Sequence, residues 1–161
     1  MGIQLTKNFT LEEMTYSDTA KLRKIRNEIH DPERVIPNLK SLCTHVLQPT
    51  RDFFGPLVVT SGYSNVELSY ALGRKLTSQH YSGQAADIIS RKYKNYDIAR
   101  WISRNLSFDQ LIYEVRKRYP SGKLYDWVHV SYRNDGKNRK EVLYSPATGG
   151  YLRGLPKESD V

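Results

Sequence analysis

The chain has 161 residues and a formal net charge of +8, long enough for one domain that buries roughly two thirds of its unfolded surface without a partner or staple. Its single cysteine, Cys43, excludes an intrachain disulfide and any cysteine-based zinc site. The N-terminus has no apolar core of leader length and no stretch reaches the ~18 apolar residues of a membrane span, so the chain is expected to be made in the cytoplasm without a signal peptide.

Hydrophobic residues make up only 39% of the sequence, but twelve tyrosines add amphipathic bulk, and a folded monomer of one domain over residues 1–161 is expected. The basic balance implies attraction to a polyanion. Its cations are scattered in small clusters, Lys21 to Arg26, Arg91 to Lys94 and Arg116 to Arg118. Neither a recognition-helix pattern nor an aromatic RNA-binding motif accompanies them, so no nucleic-acid partner is expected.

In chain order, Thr10 and Glu13 form a capping-box pattern ahead of a short helix. Ser17 or Asp18 caps a second helix, from Thr19 to about Ile29, on which Leu22, Ile25 and Ile29 share a face. The longest helix is predicted from Glu33 to Phe54, with Cys43 on its apolar stripe, His45 off it, and Pro49 as a kink or early break. Leu57 to Thr60 reads as a strand, Asn65 to Leu72 as a helix, Ala85 to Ile89 as the start of a buried strand, and Asp97 to Asn105 as a helix with Trp101 inward. Phe108 to Val115 is a further strand. Trp127 to Tyr132 and Lys140 to Tyr144 are predicted to form a hairpin across Asn134-Asp135-Gly136, with a loosely held tail from Pro146. Helices first and neighbouring strands after argue an α+β fold, a small antiparallel sheet packed against helices.

The chemistry concentrates in Ser78-Gln79-His80-Tyr81-Ser82-Gly83-Gln84-Ala85-Ala86-Asp87. Gly83 lets the chain double back, so that the His80 imidazole can face the Asp87 carboxylate. A third ligand is available from His129 in Trp127-Val128-His129-Val130-Ser131, where alternation sets it on the face opposite Val128 and Val130. Two imidazoles and a carboxylate, with a fourth position for water, make a catalytic zinc set. The same residues also suit a surface pair or a core hydrogen bond.

Ser-x-His-x-x-Gly-x-Ala-x-Asp followed by Trp-Val-His-Val-Ser resembles the zinc D-Ala-D-Ala carboxypeptidase and L-alanyl-D-glutamate endopeptidase family, the M15-type peptidoglycan peptidases, many of them phage endolysins. Thr60-Ser61-Gly62-Tyr63, Phe108-Asp109-Gln110-Leu111-Ile112-Tyr113-Glu114 and Asn138-Arg139-Lys140-Glu141-Val142-Leu143 extend the likeness over most of the chain. The resemblance implies a Hedgehog/DD-peptidase-like fold, a Zn2+ ion held by His80, Asp87 and His129, and hydrolysis of a stem-peptide bond of bacterial peptidoglycan at the cell wall. It implies Asp126 as general base, which requires the chain to bend between Asp126 and Trp127 because strand parity points Asp126 away from His129. Glu114 is the reserve base and Ser78 a substrate contact. The arginine that relatives carry after Ser-Gly-Tyr is replaced by Ser64, and Arg74 or Lys75 is the candidate to supply that cation. The alternative reading, prompted by Ser64, is a non-catalytic zinc-containing wall-binding or structural module of the same fold, as the Hedgehog signalling domain is thought to be.

Overall fold

The computed structural model describes residues 2–161. It is α+β: helices form one layer against a six-stranded sheet of order β1-β2-β4-β3-β5-β6. Two short helices, α1 (Leu11–Thr15) and α2 (Asp18–Arg23), open the chain. Thr10 Oγ1 accepts from the Glu13 amide and Ser17 Oγ from the Ala20 amide, so each N-cap satisfies a donor that the first turn leaves free. α2 stops at Lys24, in the left-handed conformation at φ 56°, well short of the expected Ile29. Leu22 consequently lies 83% exposed rather than on a core face.

The long helix exists as three joined pieces: α3 (Pro32–Leu42), a π-helical turn (Cys43–Leu47) and α4 (Gln48–Phe54). Pro49 does not end it, since α4 continues to Phe54. The π turn immediately before lets the Gln48 amide donate to Cys43 O, shifting the hydrogen-bond ladder by one residue where proline has no N–H to contribute. Val35, Leu39, Leu42, Cys43, Val46 and Leu47 are fully buried along this rod, each large aliphatic one contributing roughly 1.5–3 kcal/mol by leaving water. The Cys43 thiol, pushed up to about 12 by burial and then by the Glu13 charge, is an inert core side chain. His45 is exposed and stacks on Tyr132 at 4.6 Å.

β1 (Val58–Ser61), α5 (Val66–Ala71), β2 (Ala85–Ile89), α6 (Asn95–Asn105), β3 (Gln110–Lys117), β4 (Leu124–Ser131), β5 (Glu141–Ser145) and β6 (Leu152–Arg153) follow. Alternation divides the sheet into two faces. Ala86, Ile88, Leu111, Tyr113, Val128 and Val130 are buried in the core against the helices. Asp87, His129 and Ile112 occupy one cross-strand row on the other face, with Glu114 and Trp127 in the next. Trp101 is half-buried, stacked on Phe53.

Two strand expectations are corrected. The residues after β4 do turn at Gly136, but β5 pairs in parallel with β3 instead of forming a hairpin with β4. Both sides of β4 are already taken, by β2 and β3, so β5 cannot pair with it and joins the outer edge of β3 instead. The segment beyond Pro146 is also tied down: β6 pairs with β5, and Tyr96 donates its hydroxyl hydrogen to Pro156 O at 2.8 Å.

Gly83 sits at φ +77°, and a Cβ there would meet Val35 O at 2.8 Å and Val35 Cγ1 at 3.0 Å. The ligand loop therefore lies directly on α3. Gly83→Ala is expected to cost about 2 kcal/mol or more from strain and contact together, a drop of several degrees in Tm by thermal melting.

Candidate metal centre

β2 brings Asp87 beside His129 on β4, as directly paired residues. His80 reaches them from the loop that precedes β2. That loop is held at several points: Ser78 Oγ accepts from the His80 amide at 3.2 Å, the Ser64 amide donates to His80 O at 3.2 Å, and Asn38 Nδ2 donates to Ser82 O at 2.9 Å. Gln79 Nε2 donates to Asp109 Oδ2 at 2.8 Å, and the buried Asp109 carboxylate is clamped in turn by Arg139 at 2.9 and 3.1 Å. Sequence reasoning quoted Asp109 and Arg139 as parts of motifs without finding that they brace the His80 loop.

His80 Nδ1–H donates to Gly62 O at 2.7 Å, which fixes the tautomer and leaves the Nε2 lone pair toward Asp87. This supplies a physical use for the Ser-Gly-Tyr turn that the sequence did not show. His80 Nε2 stands 3.5 Å from Asp87 Oδ1, and His129 Nδ1 3.0 Å from the same oxygen. The three donor atoms lie within 4.8 Å of one another. Atoms sharing a tetrahedral centre at zinc–ligand distances of about 2.0–2.1 Å stand about 3.3 Å apart, so the residues fit such an ion. Among the described residues this is the one such group of histidine, cysteine and acidic side chains.

The electrostatics agree. Burial works against a charge on Asp87, yet His80 and His129 hold its carboxyl far below the ordinary range. Burial lowers His80 from its ordinary value, more than Asp87 can raise it, so the ring is held neutral. Asp87 Oδ2 also accepts from Arg74 Nη2 at 3.3 Å, while Arg74 Nη1 lies 3.5 Å from Ser64 Oγ. Arg74, from the turn after α5, thus puts a guanidinium against both Asp87 and Ser64. Lys75 is exposed.

The expectation for Asp126 is corrected. β4 runs unbroken through Asp126 and Trp127 in regular register with β3, so the required bend is absent and Asp126 faces away from His129. Its carboxylate accepts from Asn95 Nδ2 at 2.9 Å and from the Tyr113 hydroxyl, joining α6, β3 and β4 on the core side. Glu114 stands on the metal face instead. Burial raises its carboxyl, and Asp87 adds to that, against His129, Arg116 and Arg74.

The sequence profile of the Peptidase M15 family matches residues 7–131, which include His80, Asp87, Glu114 and His129. The chain belongs to this family. No curated protein matches the chain, so family membership is carried by the profile and the geometry. As an M15 chain it is of peptidase type, and among its described residues no helix is long and apolar enough to cross a membrane.

His80 and Asp87 have depressed folded-state values, so at these two positions the unfolded metal-free chain binds more protons. His80's contribution to stability is full above its ordinary 6.5 and is lost as pH falls below it; Asp87's is full above 3.8 and is lost below that. Urea titrations of metal-free protein from pH 8 to pH 4 should show stability falling first below about pH 6.5, and His80→Gln should remove that first decline.

Proposed function

We propose that the protein is a zinc-dependent peptidase that hydrolyses a stem-peptide bond of bacterial peptidoglycan, acting at the cell wall. The observation that carries this reading is the convergence of His80, Asp87 and His129, with Glu114 on the same sheet face, inside an M15-family chain. Bound by these three residues, zinc would polarise the scissile carbonyl and acidify water near neutral pH.

The chain's own groups divide the rest of the work. Glu114, raised toward neutrality by burial and by Asp87, takes the proton from the attacking water and delivers it to the leaving amine, a role suited to a carboxylate with a raised pKa. Arg74 supplies the positive charge that relatives place at the position of Ser64, and Asp87 Oδ2 keeps it oriented. Ser78, whose oxygen accepts the His80 amide, retains a hydroxyl hydrogen to donate to the substrate. With a cation restored beside Ser64, the main motive for a non-catalytic module falls away. The net charge of +8 favours an anionic wall, an attraction that salt screens.

Zinc-loaded protein incubated with purified peptidoglycan should release fragments whose masses identify the bond: free D-alanine for a carboxypeptidase, opened stem peptides for an endopeptidase. Glu114→Gln should lower turnover about 10² to 10⁴-fold with zinc stoichiometry unchanged. Asp126→Asn should lower Tm but keep turnover within about 10-fold of wild type, far above the loss expected for a general base. A metal-loaded protein that leaves peptidoglycan intact would overturn the reading, and the reverse order of the two variants would return the base to Asp126.

A further inference from the structure

Glu114 does not stand free on the sheet face. Its Oε2 accepts from Arg116 Nη2 at 3.1 Å, from the next residue on the same side of β3. The same guanidinium donates through Nη1 to Val115 O at 2.8 Å, to Ser145 Oγ at 3.1 Å and to Ser145 O at 3.3 Å. It also lies over the Trp127 ring, 5.5 Å from its centroid, and Trp127 is the cross-strand partner of Glu114. Ser145 is buried, and its hydroxyl donates to Gly150 O at 3.0 Å, so the anchor of the arginine is itself anchored.

We propose that Arg116 is a positioning residue that clamps the Glu114 carboxylate in one orientation on the metal face through a guanidinium locked by Ser145 and Trp127. The inference rests on the reading of Glu114 as the base. A free glutamate has three side-chain torsions to order before it can accept a proton along one line. Here one carboxylate oxygen is taken by Arg116, leaving the other for the attacking water. Only a planar, multidentate cation can do this, because the Glu114 and Ser145 contacts diverge from two different nitrogens of one group. Lysine offers a single nitrogen and cannot replace both. The clamp also explains why the sheet needs β5: Ser145 is its last residue and pairs directly with Glu114.

The test is a double-mutant cycle on zinc-loaded protein. Arg116→Met, which keeps the aliphatic stem over Trp127, should lower kcat about 10 to 100-fold, the size usual for an outer-shell partner, with KM within about 3-fold and zinc content unchanged. Arg116→Lys should recover only part of the loss. In a Glu114→Gln background the Arg116→Met change should cost less than about 2-fold, because a residue that acts through another adds nothing once that residue is gone. A full, additive loss in the Glu114→Gln background would overturn the clamp while leaving Glu114 as the base. A rise in KM with kcat intact would make Arg116 a substrate contact instead. A fully active Glu114→Gln enzyme would overturn the base assignment, and the clamp's catalytic meaning with it.

Discussion

A carboxylate buried in the middle of a sheet is the constraint on which the rest depends. Asp87 lies on β2, whose residues from Ala85 to Ile88 are all buried, and an isolated charge there would cost far more than the domain's whole stability margin. The surroundings answer that cost on each side of the group, with one imidazole from the preceding loop, one from the neighbouring strand and a guanidinium from the turn after α5. Each partner then needs its own support. His80 is held by the Gly62 carbonyl, and its loop by Asp109 and Asn38. Much of the buried polar network among the described residues is scaffolding around this one anion, as expected where a site must be organised before its ligand arrives.

The sheet divides labour by parity. On β3, Leu111, Tyr113 and Val115 turn toward the helices while Ile112, Glu114 and Arg116 turn toward the face that carries Asp87 and His129. On β4, Asp126, Val128 and Val130 go one way and Trp127 and His129 the other. The two acidic residues nearest the site therefore have opposite environments. Asp126 is consumed by Asn95 and Tyr113, a structural clamp between sheet and α6, whereas Glu114 shares its face with the ligands.

Much of this was legible in the residues. Ala-Ala-Asp-Ile-Ile and Val-His-Val-Ser are local alternating patterns, and local patterns survive folding, so the two strands that set Asp87 beside His129 could be read directly. Asp126 could not be placed by motif spacing, because three residues before His129 on a regular strand is the opposite face; parity contradicted the motif, and parity held. Long-range facts left no local trace. The partner of β5 follows from which edges are still open after β2, β3 and β4 have paired. The carbonyl that orients His80 belongs to a glycine with no side chain to advertise it. At Pro49 the sequence announced a kink or early break, whereas a π turn just before it carries the rod that buries six core residues on to Phe54.

The family match ends at Ser131, yet β5, at Glu141–Ser145, lies beyond it and covers the outer side of β3. A chain stopped after Ser131 would retain every proposed metal ligand and still leave β3, eight residues long, as a bare sheet margin. Such a margin invites pairing with another molecule. The parallel register also joins residues far apart in sequence, a contact that a growing chain can make only late. Residues 132–161 therefore supply the cover of that margin, and without them the outer hydrogen-bonding groups of the strand carrying Glu114 would stand unpaired.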